Sequence, residues 1–273
     1  AIDIRHRQID LVIDSDLVGV ASRLPEPLAK AAAAPLALRV EKSNAEAGRE
    51  QYRATLGNVA QAVFVKGGDG LERAAVALGS GEARLPERGV AVRIAVPRFD
   101  ADAWKALADG DSAGRNGMSL PALDLVSIKT PQLRLFGRDF TQVDSELRPR
   151  DDGWQISLNM LEVAGDLFWR QAGEGALEGR LRRLVVQPAG EPAGVNQKLI
   201  NSLPALNFTV DDFRFGDMAL GRLELLAHNE KGAWHLETLN LRNPDGALNG
   251  RAVWRNDGAG RHRTRLDFEL TAG

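Results

Sequence analysis

One stretch of the sequence occurs twice, and this repeat constrains the fold more than any other feature. The first copy begins with LPALDL at residues 120–125, and the second begins with LPALNF at residues 203–208. Each copy continues in alternating apolar and polar residues and contains two tryptophans, Trp154 and Trp169 in the first and Trp234 and Trp254 in the second. Because an internal period usually reports a repeated supersecondary unit, we expect two copies of one unit. The first tryptophan of each copy follows a polar turn and is expected at an edge where a strand re-enters its sheet.

Period-two alternation is the dominant local pattern. It is clear at residues 156–160 (ISLNM) and 266–270 (LDFEL), where every second residue is apolar. This pattern predicts strands with one buried face. Helical patterns are limited to residues 28–34, 99–107 and 195–202, and no alternation of strands with long helices is present. The sequence therefore predicts a mainly β fold of antiparallel strands with a few short helices.

The repeat also suggests how the chain is divided. Residues 109–119 contain three glycines and an asparagine and are the best candidate for a linker. We expect an N-terminal β segment with short helices at residues 1–110, a first repeat at 111–190 and a second at 191–273.

Composition excludes several classes of function. The net charge is -2 and the pI is near 6.2, which argues against a nucleic-acid partner because phosphate binding needs clustered Lys and Arg. There is no cysteine, so disulfides and cysteine-based metal sites are excluded. No run of about 18 apolar residues is present, so no membrane-spanning helix is expected. The sequence begins with AIDI, in the manner of a strand interior, and we expect it to be a segment of a larger protein.

A search for catalytic chemistry finds no convincing cluster. His6 and His262 are each flanked by two arginines, which is typical of a solvated surface. His228 and His235 are expected to lie too far apart to form a ligand pair. Adjacent acids, as at residues 151–152, point to opposite sides of a strand and cannot act on one bond. We therefore expect no catalytic residue, no metal, no cofactor and no enzymatic activity.

The alternating strands share an apolar face, which is the remaining candidate site. Its expected members are Leu133, Leu135, Ile156, Leu158, Met160, Phe208, Val210, Phe213, Phe215, Leu223, Leu225, Leu236, Leu266, Phe268 and Leu270. Two interpretations are open from the residues alone. The face is either the closed core of an ordinary β domain or an open apolar surface that binds acyl chains.

Three motifs carry a resemblance to a known family. They are residues 15–30 (SDLVGVASRLPEPLAK), residues 100–104 (DADAW) and the repeat, with residues 239–244 (LNLRNP) and 250–254 (GRAVW) as its most characteristic part. In this order, and over essentially the whole chain, they resemble the YhdP family, which are large AsmA-like envelope proteins of Gram-negative bacteria.

The resemblance implies a fold and a function. It implies a long curved antiparallel sheet that forms an open hydrophobic groove of repeating β units, similar to bridge-like lipid transfer proteins. It also implies a soluble periplasmic segment of an inner-membrane-anchored protein, whose groove conducts phospholipid between the inner and outer membranes. The implied partners are phospholipid acyl chains, envelope proteins and the remainder of the same chain, including its membrane anchor and further groove repeats. No catalytic residue is implied. The alternative is a structural envelope module with a closed apolar core that binds a protein partner through edge strands.

Overall fold

A computed structural model describes residues 2–5, 8–44, 48–68, 70–110, 121–173, 175–188, 204–230, 233–256 and 262–272. This part of the chain is mainly β, with 18 strands and one α-helix. It divides into two compact units, residues 1–148 and 149–273. The predicted domain boundaries near residues 110 and 190 border or fall within ranges outside the described residues.

Unit 1 contains an open mixed sheet and the helix α1 (Ala101–Gly110). Its strands are β1 (Ile2–Arg5), β2 (Gln8–Ser15), β3 (Leu38–Asn44), β4 (Glu50–Leu56), β5 (Ala60–Gly67), β6 (Gly70–Gly79), β7 (Gly89–Ala95), β8 (Arg98–Asp100), β9 (Leu123–Leu135) and β10 (Arg138–Arg150), whose last two residues belong to unit 2. Neighbours from β1 to β6 pair antiparallel. Strand β7 pairs parallel with β6 and with β9, β8 pairs parallel with β9, and β9 and β10 form a hairpin.

In unit 2 the sheet is also open, and its strand order follows the chain. Its strands are β11 (Gly153–Asn159), β12 (Val163–Arg170), β13 (Ala176–Val186), β14 (Ala205–Phe215), β15 (Met218–Glu230), β16 (Ala233–Asn243), β17 (Gly246–Asn256) and β18 (His262–Ala272). Every neighbouring pair is antiparallel except β13 and β14, which are parallel. The predicted mainly β fold with an open sheet is confirmed, and most neighbouring strands are antiparallel as expected, but each unit also contains parallel pairs. A parallel neighbour needs a crossover connection, and these pairs occur where one run of hairpins ends and the next begins.

The two sequence copies have the same order of elements. The first contains β9 to β13 and the second β14 to β18, so each provides five consecutive strands. Each run also begins with a strand that pairs parallel with an earlier strand, β9 with β7 and β8, and β14 with β13. The sequence repeat is thus a run of five strands that starts at a crossover.

The predicted helix at residues 28–34 is wrong. This segment consists of turns and a short bridge between Ser22 and Lys30. The Nζ atom of Lys30 donates to the carbonyl oxygens of Leu17, Val20 and Ala31, at 2.8, 2.7 and 3.1 Å. Three charge-assisted hydrogen bonds to fixed carbonyls outweigh the helix propensity of the alanines, which is only a weak preference. The predicted helix at residues 195–202 lies outside the described residues.

The predicted helix at residues 99–107 corresponds to α1, which holds three parts of unit 1 together. Asp100 caps it, because its Oδ1 accepts from the amide of Ala103 at 2.9 Å. The carboxylate of Asp102 accepts from the amides of Phe136 and Gly137 in the β9–β10 turn, at 2.8 and 2.7 Å. Trp104 donates from Nε1 to the carbonyl of Glu26 at 3.2 Å. The DADAW segment therefore caps α1 and connects it to the β9–β10 turn and to Glu26.

Candidate functional site

The candidate site is the apolar face of unit 2. Strand register places its side chains in three rows that cross all eight strands, β11 to β18. The first row is Trp154, Trp169, Leu177, Leu206, Ala227, Leu236, Ala252 and Leu266. The second is Ile156, Leu167, Gly179, Phe208, Leu225, Leu239, Gly250 and Phe268. The third is Leu158, Gly165, Leu181, Val210, Leu223, Leu241, Leu248 and Leu270. Every position in the three rows is apolar or glycine.

The opposite face of the same sheet is polar. A row between the second and third apolar rows contains Ser157, Asp166, Arg180, Thr209, Glu224, Asn240, Asn249 and Glu269. Exposed ion pairs run along it, including Arg180 with Asp211 at 3.0 Å and Arg182 with Asp166 at 3.9 Å. The sheet therefore has one polar face and one apolar face, the alternation that is typical of antiparallel sheets.

Within unit 2, the described residues provide no second layer over the apolar face, and its strands pack extensively only against their sheet neighbours. Burial instead comes from the face itself, because Leu167, Leu181, Val210 and Leu223 pack against half-buried side chains of neighbouring positions on the same face. At the end of the rows, Leu266, Phe268 and Leu270 of β18 are 53%, 50% and 76% exposed. This arrangement fits one wall of an open β-groove better than a closed sandwich core.

β-Bulges keep the face apolar where the alternation breaks. Leu236 and Leu239 are three residues apart, yet their partners on β17, Ala252 and Gly250, are two apart. One extra residue on β16 restores the register. Without it, Leu239 and Leu241 would turn to the polar face. Sequence reasoning missed these two leucines because it followed a strict period of two.

Twelve of the fifteen predicted residues lie on the apolar face of unit 2. Ten are in the three rows, and Phe213 and Phe215 continue the face beyond the third row, beside Leu184 and Val186. Met160 is buried in the turn after β11. The remaining two predicted residues, Leu133 and Leu135, belong to unit 1. Leu133 and Leu135 lie on one face of β9, and Val126 and Ile128 lie on the other. Leu133 also pairs with Phe99 of β8.

The comparison with known families decides the affiliation. The model of the YhdP protein family matches residues 1–273. The chain belongs to the YhdP family. Searches of curated proteins and of solved structures found no match. Within the described residues, no helix is both long and apolar enough to span a bilayer.

This YhdP-family chain also carries an apolar row in unit 1, which was not expected from the sequence. The row crosses β2 to β7, β9 and β10 and contains Ile13, Val40, Ala54, Ala62, Val76, Val92, Val126 and Leu147. It was missed because residues 62–65 (AVFV) are apolar on both faces, which hides the period of two. The other face is buried here, since Ala83 and Leu85, from the segment that connects the parallel strands β6 and β7, pack against Val63, Ala75 and Ala77.

The two edges of the apolar face in unit 2 differ. At one edge, where β11 and β16 begin, Trp154 pairs with Trp169 and Trp234 pairs with Trp254. We call these four residues the tryptophan edge. The ring centroids of Trp234 and Trp254 are 5.3 Å apart. Large apolar side chains are exposed at the opposite edge, namely Leu161, Phe215 and Met218. Tryptophan suits a boundary between apolar and wet surroundings because its ring is apolar and its N–H is polar.

The expectation about the two histidines of β15 and β16 is wrong. His228 and His235 are direct cross-strand partners, and their rings stack with centroids 5.6 Å apart. The Nδ1 atom of His228 lies 3.8 Å from Oε1 of Glu237. The described part of the chain contains no group of three or more His, Asp or Glu residues placed to hold a metal. His6 and the side chain of His262 lie outside the described residues.

Proposed function

We propose that the apolar face conducts phospholipid acyl chains, within a periplasmic segment of an inner-membrane-anchored protein that links the inner and outer membranes. The observation that carries the proposal is the set of three apolar rows, which cross eight strands without one polar side chain. Membership of the YhdP family supports the envelope setting. The role is non-enzymatic. The proposed partners are acyl chains, envelope proteins and further groove repeats and a membrane anchor of the same protein.

The direction of the rows suits transport along the sheet. Neighbouring strands are about 4.8 Å apart, so rows across eight strands extend about 34 Å. Each methylene group that stays out of water contributes about 0.8 kcal/mol, so a tail moves along the rows only if the wall remains apolar throughout. A charged side chain in a row would create a barrier, and a deep pocket would trap the lipid. The rows contain no charged side chain.

A second function has one observation in its favour. Strand β18 carries the exposed apolar side chains of Leu266, Phe268 and Leu270. Exposed apolar side chains grouped in this way can bind a protein partner. The alternative is therefore a scaffolding module of the envelope that binds protein through β18.

Site-specific photo-crosslinking in cells tests the proposal with a matched pair of positions. Leu225 lies in the second apolar row, and its neighbour Glu224 lies on the polar face. A photoreactive residue at 225 in the full-length protein should form lipid adducts, and one at 224 should not. Absence of lipid adducts at 225 and at other row positions would reject the groove. Protein adducts concentrated at β18, with no lipid adduct in the rows, would support the scaffold instead.

A further inference from the structure

Two buried polar atoms without a partner lie at the tryptophan edge, one on Trp234 and the other on the neighbouring residue Asn229. Trp234 is only 9% exposed, and its Nε1 has no hydrogen-bond acceptor within the described part of the chain. Asn229 is its direct partner on β15, and the side-chain Oδ1 of Asn229 is likewise buried without a donor. A buried donor and a buried acceptor therefore occupy neighbouring positions at one end of the apolar face.

Such a pair points to a ligand that has polar groups beside an apolar body. Buried polar groups are almost always hydrogen-bonded, because leaving them unpaired costs the desolvation that they have already undergone. Here the apolar side of the pair is formed by Ala227, Leu236 and Ala252, which pack with Trp234 in one cluster. Along β14 to β18 the rows contain no hydrogen-bonding side chain. A ligand lying on that part of the face would meet its first side-chain donor at Trp234.

We propose that Trp234 and Asn229 bind the ester-linked glycerol region of a glycerolipid. The indole N–H of Trp234 donates to an acyl ester carbonyl, and the carboxamide oxygen of Asn229 accepts from a hydroxyl or ammonium group on the headgroup side. This proposal rests on the proposed function, and it adds an orientation. Acyl chains lie on the rows, and headgroups project past the tryptophan edge rather than past the edge with Leu161, Phe215 and Met218.

The repeat provides an internal control. Trp154 is the first tryptophan of the first copy, as Trp234 is of the second. Trp154 also lies on the apolar face, paired with Trp169, but its Nε1 is not a buried atom without a partner. The two residues therefore have similar size and placement, and they differ in the unpaired donor that the proposal requires.

The test compares two single-chain lipids that differ at one carbonyl. Palmitoyl lysophosphatidylcholine has an acyl ester, and its hexadecyl ether analogue has a methylene group in place of the carbonyl. Binding of each is measured by titration calorimetry to the wild-type chain and to Trp234→Phe and Trp154→Phe. We expect the wild type to bind the ester about three- to tenfold more tightly, as one hydrogen bond to a buried donor provides. Trp234→Phe should remove the preference, and Trp154→Phe should keep it.

The outcomes separate this inference from the proposed function. If both lipids bind the wild type equally well, the ester-binding site is overturned and the lipid groove stands. If both variants lose the preference to the same extent, the donor is not Trp234 and the inference is overturned. If neither lipid binds any form of the chain, the groove itself is rejected. Melting temperatures of both variants show that the comparison is made between folded proteins.

Discussion

Val210 and Phe213 lie three residues apart on β14, yet both face the apolar side of the sheet. Their partners on the parallel strand β13 are Leu181 and Leu184, which are also three residues apart. On the antiparallel side, the partners of Val210 and Phe213 are Leu223 and Gly221, which are two apart. Strands β13 and β14 therefore each contain one extra residue at the same level, and the two bulges match.

The matched bulges preserve the apolar face across the crossover. A one-residue change of register moves every following side chain to the other side of a strand. If only one of the two strands contained the extra residue, its following apolar side chains would lie on the polar face of the sheet, beside polar side chains of the neighbouring strand. The parallel joint between the two sequence copies thus keeps the apolar rows continuous within unit 2.

A buried charge in the rows should unfold unit 2, whereas the same charge one residue away should not. Val210 is completely buried in the third row, and Thr209 lies on the polar face opposite Arg180. We expect Val210→Asp to lower the free energy of unfolding by roughly 3–5 kcal/mol, because the carboxylate would be buried without a partner. Thr209→Asp should change it by less than about 0.5 kcal/mol. Urea denaturation of both variants measures the difference, and equal destabilisation would contradict the assignment of faces.

The carboxylate of Asp102 should stabilise the hairpin turn that it contacts. It accepts two backbone hydrogen bonds, from Phe136 and Gly137, and Phe136 has a positive φ of 53°. We expect Asp102→Ala to lower the free energy of unfolding of unit 1 by about 1–2 kcal/mol. Hydrogen bonds to a charged group are stronger than average, but the exposure of these two to water limits their contribution. Asp102→Asn should cost less, because one side-chain acceptor remains. Asp139→Ala is the control, because Asp139 makes only a long ion pair with Arg134 at 3.8 Å. A loss with the control as large as with Asp102→Ala would contradict the role of this carboxylate.

Period-two alternation predicted much of this fold, and its failures have physical causes. It predicted the side on which Phe208 and Val210 lie, because no bulge separates them. It missed Leu239, since a bulge shifts the period and leaves no local signal in the sequence. It also missed the stacking of His228 and His235, although β15 ends at Glu230 and β16 begins at Ala233, so that these positions lie opposite each other. Pairing across a hairpin depends on turn length, and the distance expectation did not take that into account.

The segment around Lys30 shows why helix propensity failed there. The alanines after Lys30 favour a helix, but the acceptors of Lys30, such as the carbonyls of Leu17 and Val20, are ten or more residues away. No local pattern reveals such distant partners. We expect Lys30→Met to leave most of unit 1 folded and to release residues 16–37, because the methionine keeps the apolar stem and loses all three donors. Hydrogen exchange at the amides of Gly19 and Ser22, which donate to Ala32 and Lys30, should accelerate at least tenfold.

The control for this variant is Lys129→Met, which removes an exposed lysine with a single long ion pair to Asp144 at 3.5 Å. Exchange at Gly19 and Ser22 should be unchanged in it. If Lys30→Met also leaves these amides protected, the three hydrogen bonds do not hold the segment.

Protonation of Glu50 should lower the stability of unit 1 in acid. Hydrogen bonds from Lys42 and then from Tyr52 hold the pKa of the Glu50 carboxyl below its ordinary value of 4.5. The Oη atom of Tyr52 donates to Oε2 of Glu50 at 2.8 Å, and Lys42 forms an ion pair with Oε1. Because the pKa is lower in the folded state, the carboxylate contributes its full stabilisation above pH 4.5. That contribution disappears as the pH falls through the folded-state pKa. Glu50→Gln should therefore be less stable than the wild type at pH 7 and lose less stability between pH 7 and pH 3.

The same cluster should respond in the opposite sense to alkali. Hydrogen bonding to Glu50 raises the pKa of Lys42, and it also raises the pKa of the Tyr52 hydroxyl. Their contributions are fully present below the ordinary values of 10.5 and 10.0 and are lost as the pH rises through the folded-state values. Denaturation midpoints at pH 3, 7 and 11 for the wild type and Glu50→Gln test both limbs. We expect the midpoints of the two proteins to differ at pH 7 and to converge at pH 3 and pH 11. A constant difference at all three pH values would show that Glu50 does not cause the pH dependence.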